Sequence, residues 1–374
     1  MQPFTDERHE RLREKVRELV RGLAARPRLT DTGPGPVHVL ADAGLLKLCV
    51  PAAFGGVAEG VSSLALVVTR EVLAGEAADC DAALAVQTLA ALPVAWAGTK
   101  EQRERWLPAI ASGREVAAFA LTERGSGSDV AAIATAATRE RDGYVLSGEK
   151  VLISGAATAT ALLLFARTGA PGDKRGLSAF LVPRASAGLT VEEVETLGDH
   201  ALGTVRLDDV RVPEAARVGA EGEGLALALR ALEVMRPTVG AAACGMAARA
   251  LAEARASVGE RRRGGAPLAE HESVRMRLGE LATELEAARL LVYRAAWLRE
   301  NTAAGTRLDR ESAMAKLFAT EAAGRIVDAA LQLHGGAGVV RGTTIERLFR
   351  EVRALRIYEG TSEIQKLVVA RSLL

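Results

Sequence analysis

The sequence predicts an α+β protein of several domains, helical at the start, β in the middle and helical again at the end. Three observations carry that prediction. Apolar residues recur at helical spacing through the first 115 positions, short apolar runs separated by Gly, Asp and Ser fill 116 to about 212, and long helical periods return after that. With 374 residues the chain exceeds what one hydrophobic core usually serves, so two or three packed units are expected.

In the first segment, 1–115, Leu12, Val16, Leu19, Val20 and Leu23 mark a helix over Asp6 to Leu23. A Pro/Gly loop at Thr32 to Pro36 interrupts the pattern. Val39 to Leu46, Ser62 to Glu76 and Ala82 to Ala97 read as further helices, and Thr99 to Ile110 as an amphipathic one ending near Ser112-Gly113. The second segment, 116–218, contains strand-like runs at Val116 to Leu121, Tyr144 to Leu146, Ala161 to Arg167 and Leu177 to Val182. Turns at Asp142-Gly143 and Pro171-Gly172-Asp173 separate them. This pattern predicts an antiparallel β unit of roughly a hundred residues. In the third segment, 219–374, Leu225 to Gly259, Glu270 to Ala304 and Arg310 to Leu333 are long helical stretches, and a last helix runs from Thr361. Four such helices bury their apolar stripes against each other, as in a bundle.

Composition narrows the function. The formal net charge is +1, which speaks against a nucleic-acid footprint. Arg261-Arg262-Arg263 therefore reads as a solvated turn. Cys49, Cys80 and Cys244 are widely spaced without a CxxC, as expected of small core residues in a reducing, cytoplasmic setting. No signal core and no uncharged apolar run of membrane-spanning length is expected. His271 and His334 lack metal-ligand spacing, so no metal site is expected.

Three motifs carry chemistry. Leu121 to Asp129 (LTERGSGSD) concentrates hydroxyls and glycine amides after a strand. It suits a polar cofactor edge, and an ordinary capped turn is the simpler reading of the segment alone. Gln332 to Gly338 (QLHGGAG) permits close backbone approach to a ligand, or equally a helix C-cap. Tyr358-Glu359-Gly360-Thr361-Ser362-Glu363 places Glu359 just ahead of a helix capped by Thr361 or Ser362. In solvent that carboxylate is inert; in an apolar pocket its pKa rises and it becomes a general base.

In this order, these motifs resemble the acyl-CoA dehydrogenase family over essentially the whole chain. Val50 to Gly56 (VPAAFGG), Gly148 to Ser154 (GEKVLIS) and Asp208 to Pro213 (DDVRVP) are similar to further family motifs. The resemblance implies a helical domain, a central β-barrel and a four-helix bundle, assembled as a homodimer or homotetramer. It implies FAD, with Phe119, Leu121, Thr122, Gly127, Ser128, Leu152 and Ser154 along the flavin. Arg261, Leu268, Gln332, Gly335 and Gly336 would reach the FAD of a paired subunit, and Thr361 and Glu363 would hold the cofactor after the base. Ser128, Met235, Arg236, Tyr358 and Gly360 would meet the substrate.

Glu359 matches the family's catalytic glutamate, which takes the α-proton of an acyl thioester while the β-hydrogen leaves as hydride to flavin N5. Another branch places its base directly before the Arg of the first bundle helix; here that residue is Met235, which cannot accept a proton. An electron-transfer flavoprotein is the acceptor the resemblance implies. The substrate is an acyl-CoA or an acyl-carrier-protein thioester. Leu152 stands where Trp is common, Gly264 where Phe is common, Glu272 where Gln is common, and Arg124 and His200 where Pro and Arg are usual. A flavin monooxygenase on the same fold and a non-catalytic binding relative are the competing readings.

Overall fold

The computed structural model describes residues 3–24, 35–170, 173, 175–198, 200–303 and 305–374. The loop expected at Thr32 to Pro36 and the turn at Pro171-Gly172-Asp173 fall largely outside them. Packing divides the chain into two compact units. One comprises Met1–Pro27, Ser63–Asp81 and Glu233–Leu374, the other Arg28–Ser62 and Ala82–Leu232.

The first unit is helical. It contains α1 (Glu7–Ala24), α3 (Ser63–Glu76), most of α6 (Gly224–Glu260), α7 (Glu272–Asn301), α8 (Asp309–His334), α9 (Thr344–Leu355) and α10 (Ser362–Arg371). Aromatics are only 3% of the chain, so alanines do the packing. Ala241, Ala242, Ala243, Ala247, Ala319, Ala322 and Ala323 are buried in its core. Small side chains let helices approach closely. A Cβ on Gly245 of α6 would clash with α3, since it would meet the Glu71 carbonyl oxygen at 1.9 Å. Gly245→Ala must therefore push α3 from α6, and a loss of about 1–3 kcal/mol is expected. A thermal melt unchanged in this variant would contradict the packing.

Helix α9 is absent from the sequence prediction. Its buried residues Ile345, Leu348, Val352 and Leu355 nevertheless keep helical spacing, and Thr343 caps its start by accepting from the Glu346 amide. The preceding glycines, through Gly342, hide its beginning.

The second unit joins α2 (Pro36–Asp42), the C-terminal part of α4 (Ala78–Ala97) and α5 (Lys100–Ala111) to a sheet. The predicted helix at Val39 to Leu46 is in fact α2 followed by a 3-10 turn at Leu45–Cys49, because Gly44 adopts φ 69° between them. Helix α5 opens with a capping box between Thr99 and Gln102. The strands are β1 (Ala117–Ala120), β2 (Ala136–Glu140), β3 (Gly143–Ser154), β4 (Ala161–Arg167), β5 (Leu177–Pro183), β6 (Leu189–Val194), β7 (Leu202–Pro213) and β8 (Arg217–Val218). Gln87 of α4 seats β1 by exchanging hydrogen bonds with the Ala117 amide and carbonyl at 3.0 and 2.9 Å.

The sheet order is β6-β7-β3-β2-β4-β5-β8, with β1 also paired to β4. The predicted closed antiparallel barrel is not what the pairing forms among the described residues. Strand β1 runs parallel to β4, β2 meets β4 through a parallel bridge, and β6 and β8 remain edges. With two residues, β8 offers little ladder to close against. Strand β3 runs on to Ser154, well beyond the Leu146 expected from its apolar run. Its register slips twice against β7, and the second slip, between Lys150 and Ile153, contains Leu152 at φ 57°.

Helix α4 is long and apolar enough to cross a membrane by length and composition alone. Most of it is buried within the protein, and its first turn carries Asp79 and Asp81, the mark of a core helix.

Candidate active site

The Tyr358-Glu359-Gly360 turn connects α9 to α10. Thr361 caps α10 by accepting from the Ile364 amide at 3.4 Å, which stops the helix short of Glu359. Glu359 adopts φ 53° and Gly360 φ 93°. A left-handed glutamate costs roughly 1–3 kcal/mol and persists only when its surroundings hold it. They do so through the backbone. Lys316 Nζ donates to the Gly360 carbonyl at 2.7 Å. Gln365 Nε2 donates to the same oxygen at 2.9 Å and to the Glu359 carbonyl at 3.3 Å. Just beyond, Ser362 and Arg356 both donate to Glu321, at 2.6 and 2.9 Å.

The Glu359 residue is half-buried, but its Oε2 is fully buried and accepts no hydrogen bond among the described residues. Burial pushes the carboxyl up to about 7; Arg70, Lys316 and Arg236 oppose the rise and Asp81 adds to it. Arg70, on α3, is wholly buried. Its Nε and Nη2 donate to the two Asp81 oxygens at 2.7 and 2.8 Å, and its Nη1 donates to Thr238 Oγ1 at 2.8 Å. Lys316, on α8, has no exposed surface, and burial pushes its ammonium down to about 8, with Glu359 resisting. Arg236, on α6, is buried and its Nε is unpartnered among the described residues; burial lowers its pKa. Burial also raises that of the Tyr358 phenol. The result is a carboxyl poised near neutrality, with cations close enough to tolerate its ionised form.

Arg236 lies well inside α6, and Met235 beside it is fully buried. Of the residues expected to meet the substrate in this unit, Tyr358 and Gly360 flank Glu359 and the charge of Arg236 acts on its carboxyl. Glu363 is exposed in the first turn of α10.

A second group in the same unit gathers Arg261, Leu268 and the loop after α8. Arg261 Nη1 donates to the Leu333 carbonyl at 2.6 Å, and the Leu268 amide donates to the Arg261 carbonyl at 2.7 Å. Gly335 caps α8 at φ 61°, where a Cβ would meet the Arg261 guanidinium at 2.8 Å. Gln332 and Gly336 are exposed beside it. The C-cap reading holds for Gly335, and the side chain that approaches it is Arg261.

In the other unit, Lys150 joins the Leu121–Asp129 loop to β3. It is fully buried and donates to Glu123 Oε1 at 2.7 Å and to the Leu121 carbonyl at 3.2 Å. The Val151 amide donates to the Thr122 carbonyl at 2.9 Å. Thr122 is thereby held against the part of β3 that carries Leu152 and Ser154. Leu152 is 53% exposed, turned outward by its left-handed backbone, while Leu121 is buried and Phe119 packs on Phe165 at 4.9 Å. Gly127 and Ser128 are exposed and Ser154 is half-buried. Leu152 offers an outward apolar side chain, and Thr122, Ser128 and Ser154 offer hydroxyls, a combination whose chemistry fits a flat heteroaromatic ring such as that of FAD.

The sequence reading did not find Arg70, Asp81, Thr238, Lys316 or Gln365. The available signal was a charged residue in an apolar helical stretch, Arg70 in LALVVTREVLAG and Lys316 in AMAKLFATEAA. Among the described residues no His, Cys, Asp and Glu cluster could hold a metal ion.

Fold and site define an oxidoreductase with helical N- and C-terminal domains and a central sheet, and a left-handed glutamate set in its helical part. The chain belongs to the acyl-CoA dehydrogenase family. The family's N-terminal domain model matches residues 6–114, its middle domain model 118–210 and its C-terminal domain model 222–374. It is similar to cyclohexane-1-carbonyl-CoA dehydrogenase of Geobacter metallireducens, with 37% identity covering 98% of this chain and 96% of that protein. A chain solved in work on the electron transferring flavoprotein of Acidaminococcus fermentans superposes with TM-score 0.93 at 29% identity, covering 100% of both chains. The FAD complex of PigA superposes with TM-score 0.89 at 25% identity, covering 99% of this chain and 98% of PigA.

Proposed function

We propose that the protein is an FAD-dependent dehydrogenase that removes the α and β hydrogens of an acyl thioester, with Glu359 as the base for the α-proton. The observation that carries this reading is the buried, unpartnered Oε2 of a left-handed Glu359 whose carboxyl lies near neutrality. An α-proton beside a thioester carbonyl is weakly acidic, so its removal calls for a base that is ionised yet poorly solvated. Arg70, Lys316 and Arg236 keep that ionised form accessible, and the turn aims it.

FAD, when bound, supplies the two-electron acceptor for the β-hydride. Thr122, Gly127, Ser128, Leu152 and Ser154, with Phe119 and Leu121 behind them, hold the ring in this reading. Arg261, Leu268, Gln332, Gly335 and Gly336 serve the cofactor of a paired subunit in a homodimer or homotetramer, and Thr361 and Glu363 complete the contacts near the base. Met235, Arg236, Ser128, Tyr358 and Gly360 line the path of the thioester, carried by CoA or by an acyl carrier protein. An electron-transfer flavoprotein takes the electrons onward. Similarity to a cyclohexane-1-carbonyl-CoA dehydrogenase supports the thioester substrate, similarity to a chain studied with an electron transferring flavoprotein supports the acceptor, and similarity to an FAD complex supports the cofactor.

The test is the visible spectrum of the anaerobic protein before and after a panel of saturated acyl-CoA thioesters. Bleaching of a bound flavin by one of them supports the reading; a bound flavin that no CoA or carrier-protein thioester bleaches counts against it.

The pH dependence follows from the base. Only ionised Glu359 accepts a proton, so the active fraction grows as pH rises through its pKa. The acid limb of kcat/KM is expected at about 7. A pH–rate profile that stays flat down to the ordinary carboxylate range would contradict a buried base.

A further inference from the structure

The turn that carries Glu359 is anchored from a neighbouring helix by a residue that neither motif nor chemistry requires for proton transfer. Lys316 lies on α8 among the buried Ala313, Ala315, Ala319 and Thr320, and none of its surface reaches solvent. Burying an ammonium costs several kcal/mol unless it finds partners. Its acceptor is the Gly360 carbonyl at 2.7 Å, the peptide immediately after the left-handed Glu359. Among anions, Glu359 acts on it most strongly, ahead of Glu321 and Glu363.

We propose that Lys316 is a positioning residue for Glu359: its ammonium pins the Gly360 carbonyl, so fixing the left-handed turn, and places a positive charge beside the carboxylate that must ionise. The inference rests on the reading of Glu359 as the base. The other charged groups acting on Glu359 have different attachments. Arg70, on α3, is engaged by Asp81 and Thr238, and Asp81, on α4, opposes it. Arg236, on α6, supplies charge, and no hydrogen bond runs from it to the turn among those described. Among the described residues, Lys316 alone combines the charge with a backbone tie. Gln365, on α10, provides a tie to the same carbonyl at 2.9 Å without a charge, so the two contributions can be separated.

The experiment compares steady-state pH profiles of the flavin-loaded enzyme, Lys316→Met, Gln365→Leu and Glu359→Gln on the best substrate of a saturated acyl-CoA panel. Lys316→Met loses tie and charge. Its kcat is expected to fall roughly 100-fold with KM little changed, and its acid limb to move up by about one pH unit, since an uncompensated carboxyl ionises later. Gln365→Leu loses only a tie, so kcat is expected to fall about tenfold with the acid limb in place. A Lys316→Met enzyme with parental kcat and acid limb overturns the proposal. Where Lys316→Met fails to fold by circular dichroism, Gln365→Leu decides the tie: parental kcat there overturns it. Glu359→Gln separates the two readings. Parental turnover in that variant sinks the base assignment itself, whereas lost turnover there beside an unaffected Lys316→Met sinks only the role of Lys316.

Discussion

Glu359→Gln is expected to lower kcat by about 10²–10⁴-fold, the range a positioned general base contributes. The amide keeps the size of the side chain and can occupy the same turn, because φ 53° is set by Gly360, Lys316 and Gln365 acting on the backbone. It cannot accept the proton. The substitution also removes the negative charge that Arg70, Lys316 and Arg236 face, so flavin and thioester binding should survive or tighten while flavin reduction fails. Stopped-flow reduction of the bound flavin is the direct measurement. Reduction within about tenfold of the parent would move the base elsewhere. Met235 could not take over, being a thioether.

Asp81→Ala is expected to be the most damaging change to stability, by about 3–5 kcal/mol. Asp81 holds Arg70 by paired hydrogen bonds of 2.7 and 2.8 Å, and Arg70 is 1% exposed. Removing the carboxylate leaves a guanidinium stranded in an alanine-rich interior. The double variant Arg70→Met/Asp81→Leu should recover much of the loss, since a buried ion pair replaced by apolar side chains is often close to neutral. Urea titration of the three proteins is the check, and a loss below about 1 kcal/mol in Asp81→Ala would show the pair to be solvated. The single variant has a functional signature as well. Asp81 raises the Glu359 pKa, and its loss frees Arg70 to lower it further, so the acid limb of kcat/KM should move down. Lys316→Met should move the same limb the other way. Opposite movements from two buried changes would locate both groups around one carboxylate.

The family and the placing of Glu359 just ahead of a helix were legible in the sequence because both depend on local order. The YEGTSE segment contains its own helix cap in Thr361, and that cap alone stops α10 short of Glu359. The long helices α6, α7 and α8 were likewise readable from periodicity, their ends shifting by a few residues. The left-handed backbone of Glu359 was not readable, since glutamate has no preference for it and the anchors come from α8 and α10.

Local pattern thus determined the helical, β and helical order of the chain, α9 excepted, and the position of Glu359 just ahead of α10. The tertiary structure decided its chemistry. Arg70, Asp81, Arg236 and Lys316 are spread over 246 positions from first to last and converge on one turn only when α3, α4, α6 and α8 pack together. The open, mixed pairing of the sheet was decided the same way, by hydrogen bonds between strands that no single strand's composition encodes. A carboxyl's pKa depends on burial and on charges brought near in space, so the rise of Glu359 to about 7 belongs to the fold.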